Sequence, residues 1–179
     1  MESKVIYKDE SLELCEDFID VGYMAENIEV SNSLGETIEI KRSHQDKSMT
    51  LLISYPNDKN GYMDEILSMD ELLNQIQVPL NCYYIFDKEY KVDTVLKNRL
   101  KKFSLVLDSD DEFGNMYGTK LVSGSLEDKL TKSMFLISKD GAIFYLDMPN
   151  DLSKEFDVDR LRVELNKAYT SYTGVGCHG

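Results

Sequence analysis

With 179 residues, 42% hydrophobic and 30% charged, the chain has the size and balance of one globular domain, which excludes a disordered or fibrous protein. Its 33 acidic residues outnumber 20 basic ones, for a formal charge of −13. Such a surface repels phosphate backbones and anionic membranes, so neither nucleic acid nor a membrane is an expected partner.

The first residues read as strand material, Lys4 to Lys8 and Ser11 to Leu14, with a turn at Asp9 and Glu10. Further strands are predicted over Ile28 to Val30 and Thr37 to Lys41, joined by a turn containing Ser33, Leu34 and Gly35. Met49 to Ile53 is an apolar run but for Thr50, as expected of a strand covered on both faces. After Tyr55, Pro56 and a polar stretch, residues Tyr62, Met63, Ile66, Leu67, Leu72, Leu73 and Ile76 recur at helical steps, and Pro79 ends the pattern. Cys82 to Phe86 reads as a second buried strand. Val92, Val95, Leu96, Leu100 and Phe103 predict a second amphipathic helix, followed by a strand over Ser104 to Leu107. A short helix from Asp110 to Tyr117 closes at Gly118. Ser133 to Ile137 and Ala142 to Leu146 form a predicted hairpin, because Gly141 after Asp140 supplies the positive φ of a tight turn. Val158, Leu161, Leu165 and Ala168 share one face of a final helix.

Strands alternating with helices and ending in a hairpin and a helix imply an α/β protein with a mixed central sheet covered on both faces. A thioredoxin-like fold with extra N-terminal strands fits this order. It is expected to form a single domain over 1–169, with a flexible glycine-containing tail over 170–179. No apolar run reaches the roughly 18 residues a spanning helix needs. The acids of MESKVIYKDESLEL do not suit a secretory signal, so a cytoplasmic protein is expected.

The 3 cysteines, Cys15, Cys82 and Cys177, are far apart and form no CxxC, which excludes a disulfide framework, paired-cysteine zinc sites and a dithiol redox motif. The 2 histidines, His44 and His178, are too few for a multi-histidine metal centre. No cofactor and no metal are expected.

Residues 56 to 64 read Pro-Asn-Asp-Lys-Asn-Gly-Tyr-Met-Asp, which resembles the active-site loop of the thiol peroxidases, a subgroup of the peroxiredoxins. That loop runs Pro, three residues, Thr, two residues, Cys. Three further segments resemble the family in the same order. They are Val21-Gly22 with Ala25-Glu26-Asn27-Ile28; Phe113-Gly114-Asn115-Met116-Tyr117-Gly118; and Leu130-Thr131-Lys132-Ser133-Met134-Phe135 with Lys139-Asp140-Gly141. The resemblance implies a thioredoxin-like core, a site at the head of the first long helix and a homodimer formed through the face that carries it.

At that site the pattern breaks. The family's nucleophile is a cysteine whose thiolate is stabilised by the helix N-terminus and a nearby arginine, and which attacks peroxide to become a sulfenic acid. Met63 stands at that position, and a thioether has no proton to lose. Asn60 replaces the threonine, and Lys132 replaces the arginine, keeping the charge but losing its planar fork. The family's resolving cysteine aligns near Leu96. Pro56 alone is retained.

Met63 reads either as a filler of the space left by the lost thiol or as an oxidation sensor. Cys82 reads as a structural thiol, and the acids beside Cys15 disfavour a thiolate there. Cys177, beside His178 in the tail, is the redox candidate. Asp108, Asp110, Asp111 and Glu112 lack the glycine and glutamate spacing of a calcium loop and read as the solvated start of a helix. The basic cluster Lys97 to Lys102 reads as the exposed back of a helix. The expected protein is a thiol-peroxidase-like pseudoenzyme with a binding, structural or redox-sensing role; the alternative is an antioxidant peroxidase using Cys177.

Overall fold

The computed structural model describes residues 4–15, 19–58 and 61–171. Asn60, Cys177 and the expected flexible tail beyond residue 171 lie outside these.

The chain opens with a hairpin of β1 (Lys4–Tyr7) and β2 (Glu10–Glu13), a separate two-stranded sheet. Its turn falls one residue earlier than expected. Lys8 and Asp9 carry φ of 47° and 67°, and Glu10 pairs with Tyr7. Two successive left-handed residues match the twist of the flanking strands, which a turn centred one residue later would not. Val5 and Leu12 from this hairpin pack on Leu121, Leu126 and Leu152.

The main sheet is built from β3 (Ile28–Ser31), β4 (Thr37–Ile40), β5 (Met49–Ser54), β6 (Leu80–Asp87), β7 (Phe103–Asp108), β8 (Ser133–Ile137) and β9 (Ile143–Asp147). Its order is β4-β3-β7-β6-β5-β8-β9, with β5, β6 and β7 parallel and the flanking pairs antiparallel. The helices are α1 (Met63–Gln75), α2 (Thr94–Arg99), α3 (Glu112–Met116) and α4 (Val158–Thr170). Alternation along β5 sorts the two faces. Met49, Leu51 and Ile53 meet Ile66, Leu73, Leu96 and Leu165 from α1, α2 and α4, whereas Leu52 meets Phe113, Tyr117 and Phe135 on the other side. A sheet buried on both faces explains why β5 and β8 read as continuous apolar runs.

Helix α2 stops at Arg99, short of the predicted Phe103, which instead begins β7 and stacks on Tyr84 at a 3.9 Å centroid distance. A buried carboxylate from another helix decides this. Asp70 of α1 accepts from the backbone N–H groups of Lys101, Lys102 and Phe103 at 2.8–2.9 Å, holding them in a turn that helical periodicity could not reveal. The basic cluster is otherwise exposed as expected. Helix α4 starts under its Asp157 cap and continues through Thr170, one residue past the expected boundary.

Asp108 is not solvated. It is buried at the end of β7 and accepts from the N–H groups of Phe113 and Gly114 at 2.9 and 2.8 Å. Burial outweighs these bonds and pushes its carboxyl up to about 6. The unfolded carboxyl titrates near 3.9, so the folded state binds more protons between about pH 4 and 6. Unfolding free energy therefore falls by about 3 kcal/mol as pH rises through that window. In Asp108→Asn the fall shrinks by that amount, as read from urea midpoints at several pH values; an unchanged slope would refute the assignment.

Candidate functional site

Ligand sites in such sheets gather beyond the carboxyl ends of the parallel strands, and here β5 delivers Tyr55 and Pro56, both buried, to that edge. The chain then reaches α1, whose N-cap, Tyr62, makes no side-chain cap and whose first turn carries Asp64 and Glu65. Lys132 arrives from the neighbouring strand. Ser54 donates to the Thr131 carbonyl at 2.7 Å and lies 2.5 Å from the Ser133 hydroxyl, which fixes the residue between them toward α1.

Lys132 is 1% exposed. Its ammonium lies 2.8 and 3.1 Å from the two oxygens of Glu65 and also donates to the Lys154 carbonyl. Around it stand the rings of Phe156, Tyr62 and Tyr55, with centroids at 4.9, 5.3 and 5.8 Å. A carboxylate, a carbonyl and three π faces together replace the water this cation has lost. Burial, with the Glu65 charge next in weight, raises the Tyr55 phenol well above its ordinary range. Burial, and then Asp58, does the same for Tyr62.

Met63 heads α1 and is 40% exposed. Its side chain borders a cleft of about 230 Å³ together with Pro56, Tyr62, Ile66, Phe86, Tyr90 and Leu96. The structure thus brings Met63 and Leu96 to one cleft. Neither can form a disulfide, and what they share is an apolar wall.

The described thiols lie elsewhere. Cys82 sits inside β6 in the core, where burial pushes it up to about 12, so it stays a thiol. Cys15 is half-buried, and its Sγ lies 3.4 Å from the Gly114 carbonyl. Neither lines the cleft. Of the surface acids, Glu29, Asp110 and Glu112 bring carboxylate oxygens within 4.8 Å of one another, an exposed grouping away from Lys132.

The main partner of Lys132, Glu65, was not legible as a site residue. Acids are common in the first turn of helices, where they complement the dipole, and nothing marks this one as an inward-facing counter-ion. Phe156 and the Lys154 carbonyl are separated from Lys132 by more than twenty positions, with no local signal.

No protein-family model matches the sequence, and no curated protein does. Solved structures do match, and they define the fold as the thioredoxin-like fold of the peroxiredoxins. A peroxiredoxin-like protein from Aquifex aeolicus superposes with a TM-score of 0.83 at 14% identity, covering 94% of this chain and 98% of that one. A thiol peroxidase from Chromobacterium violaceum gives 0.79 at 16% identity, with 93% and 97% covered. A mitochondrial 2-Cys peroxiredoxin from Plasmodium falciparum gives 0.67 at 18%, with 89% and 100% covered.

Lys132→Ala strands the Glu65 charge inside the ring cage, and removal of one partner of a buried pair costs about 3–5 kcal/mol. Replacing both, as Lys132→Met with Glu65→Leu, recovers most of that loss in guanidinium unfolding. A single-variant cost below about 1 kcal/mol would show the pair to be solvated.

Proposed function

We propose that this protein is a peroxiredoxin-fold pseudoenzyme, without peroxide-reducing chemistry at the head of α1, that acts by binding. One observation carries the reading: a thioether stands at the head of α1, and the only buried cation among the described residues, Lys132, is already closed by Glu65. Peroxide reduction at this position needs a thiolate and a cation free to stabilise it, and both requirements fail together. What remains is a cleft in which apolar and aromatic side chains stand beside Asp58, Lys91 and Asp93, bordered by exposed Met63, with Val95, also exposed, on the helix that supplies Leu96. Exposed apolar side chains around a cleft suit contact with another surface. A cytoplasmic homodimer joined through this face is part of the same proposal, supported by these residues and by the acidic, cysteine-poor sequence.

The purified protein, given hydrogen peroxide or an organic hydroperoxide and a thiol reductant, is expected to leave the peroxide unconsumed. Turnover that disappears in Cys177→Ser would overturn this reading in favour of a relocated thiol. Met63→Cys supplies a thiol, but beside Glu65 its pKa stays high; adding Glu65→Gln releases Lys132 and lowers it. The pH dependence of iodoacetamide alkylation reads the difference, and identical profiles for the two variants would show that Glu65 does not hold the site shut.

A further inference from the structure

We infer that the groove between α1 and the start of α4 binds a basic segment of a partner protein, seating one apolar side chain between flanking lysines or arginines. This rests on the reading of the protein as a binding module and names the chemistry of what it binds. The groove encloses about 360 Å³, toward the small end of ligand-binding clefts. Met69, Leu72 and Phe156 make an apolar floor, and Asp64, Glu65 and Glu155 contribute carboxylates around it.

The electrostatics select the occupant. Helix α1 carries no basic residue at all. Of the cations on the adjoining segments, Lys132 lies buried beneath Glu65 and Arg160 is held by Glu164 at 2.8 Å, while exposed Lys154, which donates to the neutral Asn150 amide, and exposed Arg162 do not line the groove. Exposed Asp64 and Glu155 make no hydrogen bond or ion pair that would neutralise them among the described contacts, on a protein of formal charge −13. An apolar floor edged by the exposed carboxylates of Asp64 and Glu155, with no cation among its lining residues, is complementary to a cationic amphipathic segment and repels an acidic one.

The test is a nuclear magnetic resonance titration of the ¹⁵N-labelled full chain with three blocked tripeptides: Lys-Leu-Lys, Lys-Ser-Lys and Glu-Leu-Glu. Lys-Leu-Lys is expected to shift the amides of Asp64, Glu65, Ser68 and Phe156. Lys-Ser-Lys, lacking the anchor, and Glu-Leu-Glu, carrying the wrong charge, should bind about tenfold more weakly or not at all. Glu155→Lys and Asp64→Lys, both at exposed positions, should each weaken Lys-Leu-Lys several-fold, and added salt should do the same. Absence of binding by Lys-Leu-Lys, equal binding of Lys-Ser-Lys, or a preference for Glu-Leu-Glu would each overturn the inference. Peroxide turnover would remove the non-catalytic reading without altering these titrations, so the two can fail separately.

Discussion

The ammonium of Lys132 is the point around which the carboxyl end of the sheet is arranged. A lysine buried to 1% exposure loses hydration worth several kcal/mol, and the structure must return it locally. Three segments do so: the first turn of α1 through Glu65, the chain before α4 through the Lys154 carbonyl and Phe156, and the end of β5 through Tyr55. The chain before α4 is distant from the other two in sequence. The same contact therefore ties α1 and the approach to α4 to the central strands.

Other bonds hold the loop before α1. Tyr7 of the N-terminal hairpin donates to Asp58 at 2.9 Å, and Lys129 donates to the Asn57 carbonyl at 2.5 Å. The hairpin is itself stitched to the chain before α4, through Ile6 to Asn150 and Leu152 to Ile6, both at 2.9 Å. The chain at Asn57 and Asp58, which leads toward α1, is thus held by structural interactions. The Lys132 ammonium and the Glu65 carboxylate pair beneath the rings of Tyr55, Tyr62 and Phe156, and the thioether of Met63 is left at the surface.

Two buried aspartates show the same economy elsewhere. Asp70 and Asp108 each collect backbone N–H groups at a change of chain direction, one before β7 and one before α3. Neither direction change follows from local preference alone. At both places a carboxylate from outside the segment satisfies donors that the segment cannot satisfy itself.

The amino-acid sequence by itself determined the alternation of strands and helices, the buried character of β5 and β8, the Asp140-Gly141 turn and the non-ionisable sulfur of Met63. These are properties of periodicity, of glycine's conformational range and of side-chain chemistry, all local. The tertiary structure alone decided that α2 ends at Arg99, that Asp108 is buried, that Met63 borders a cleft with Leu96, and that Lys132 is paired with Glu65 beneath aromatic rings. Each of these depends on which distant group comes within a few ångströms, and in the low dielectric of the interior that proximity outweighs the preference of the segment itself.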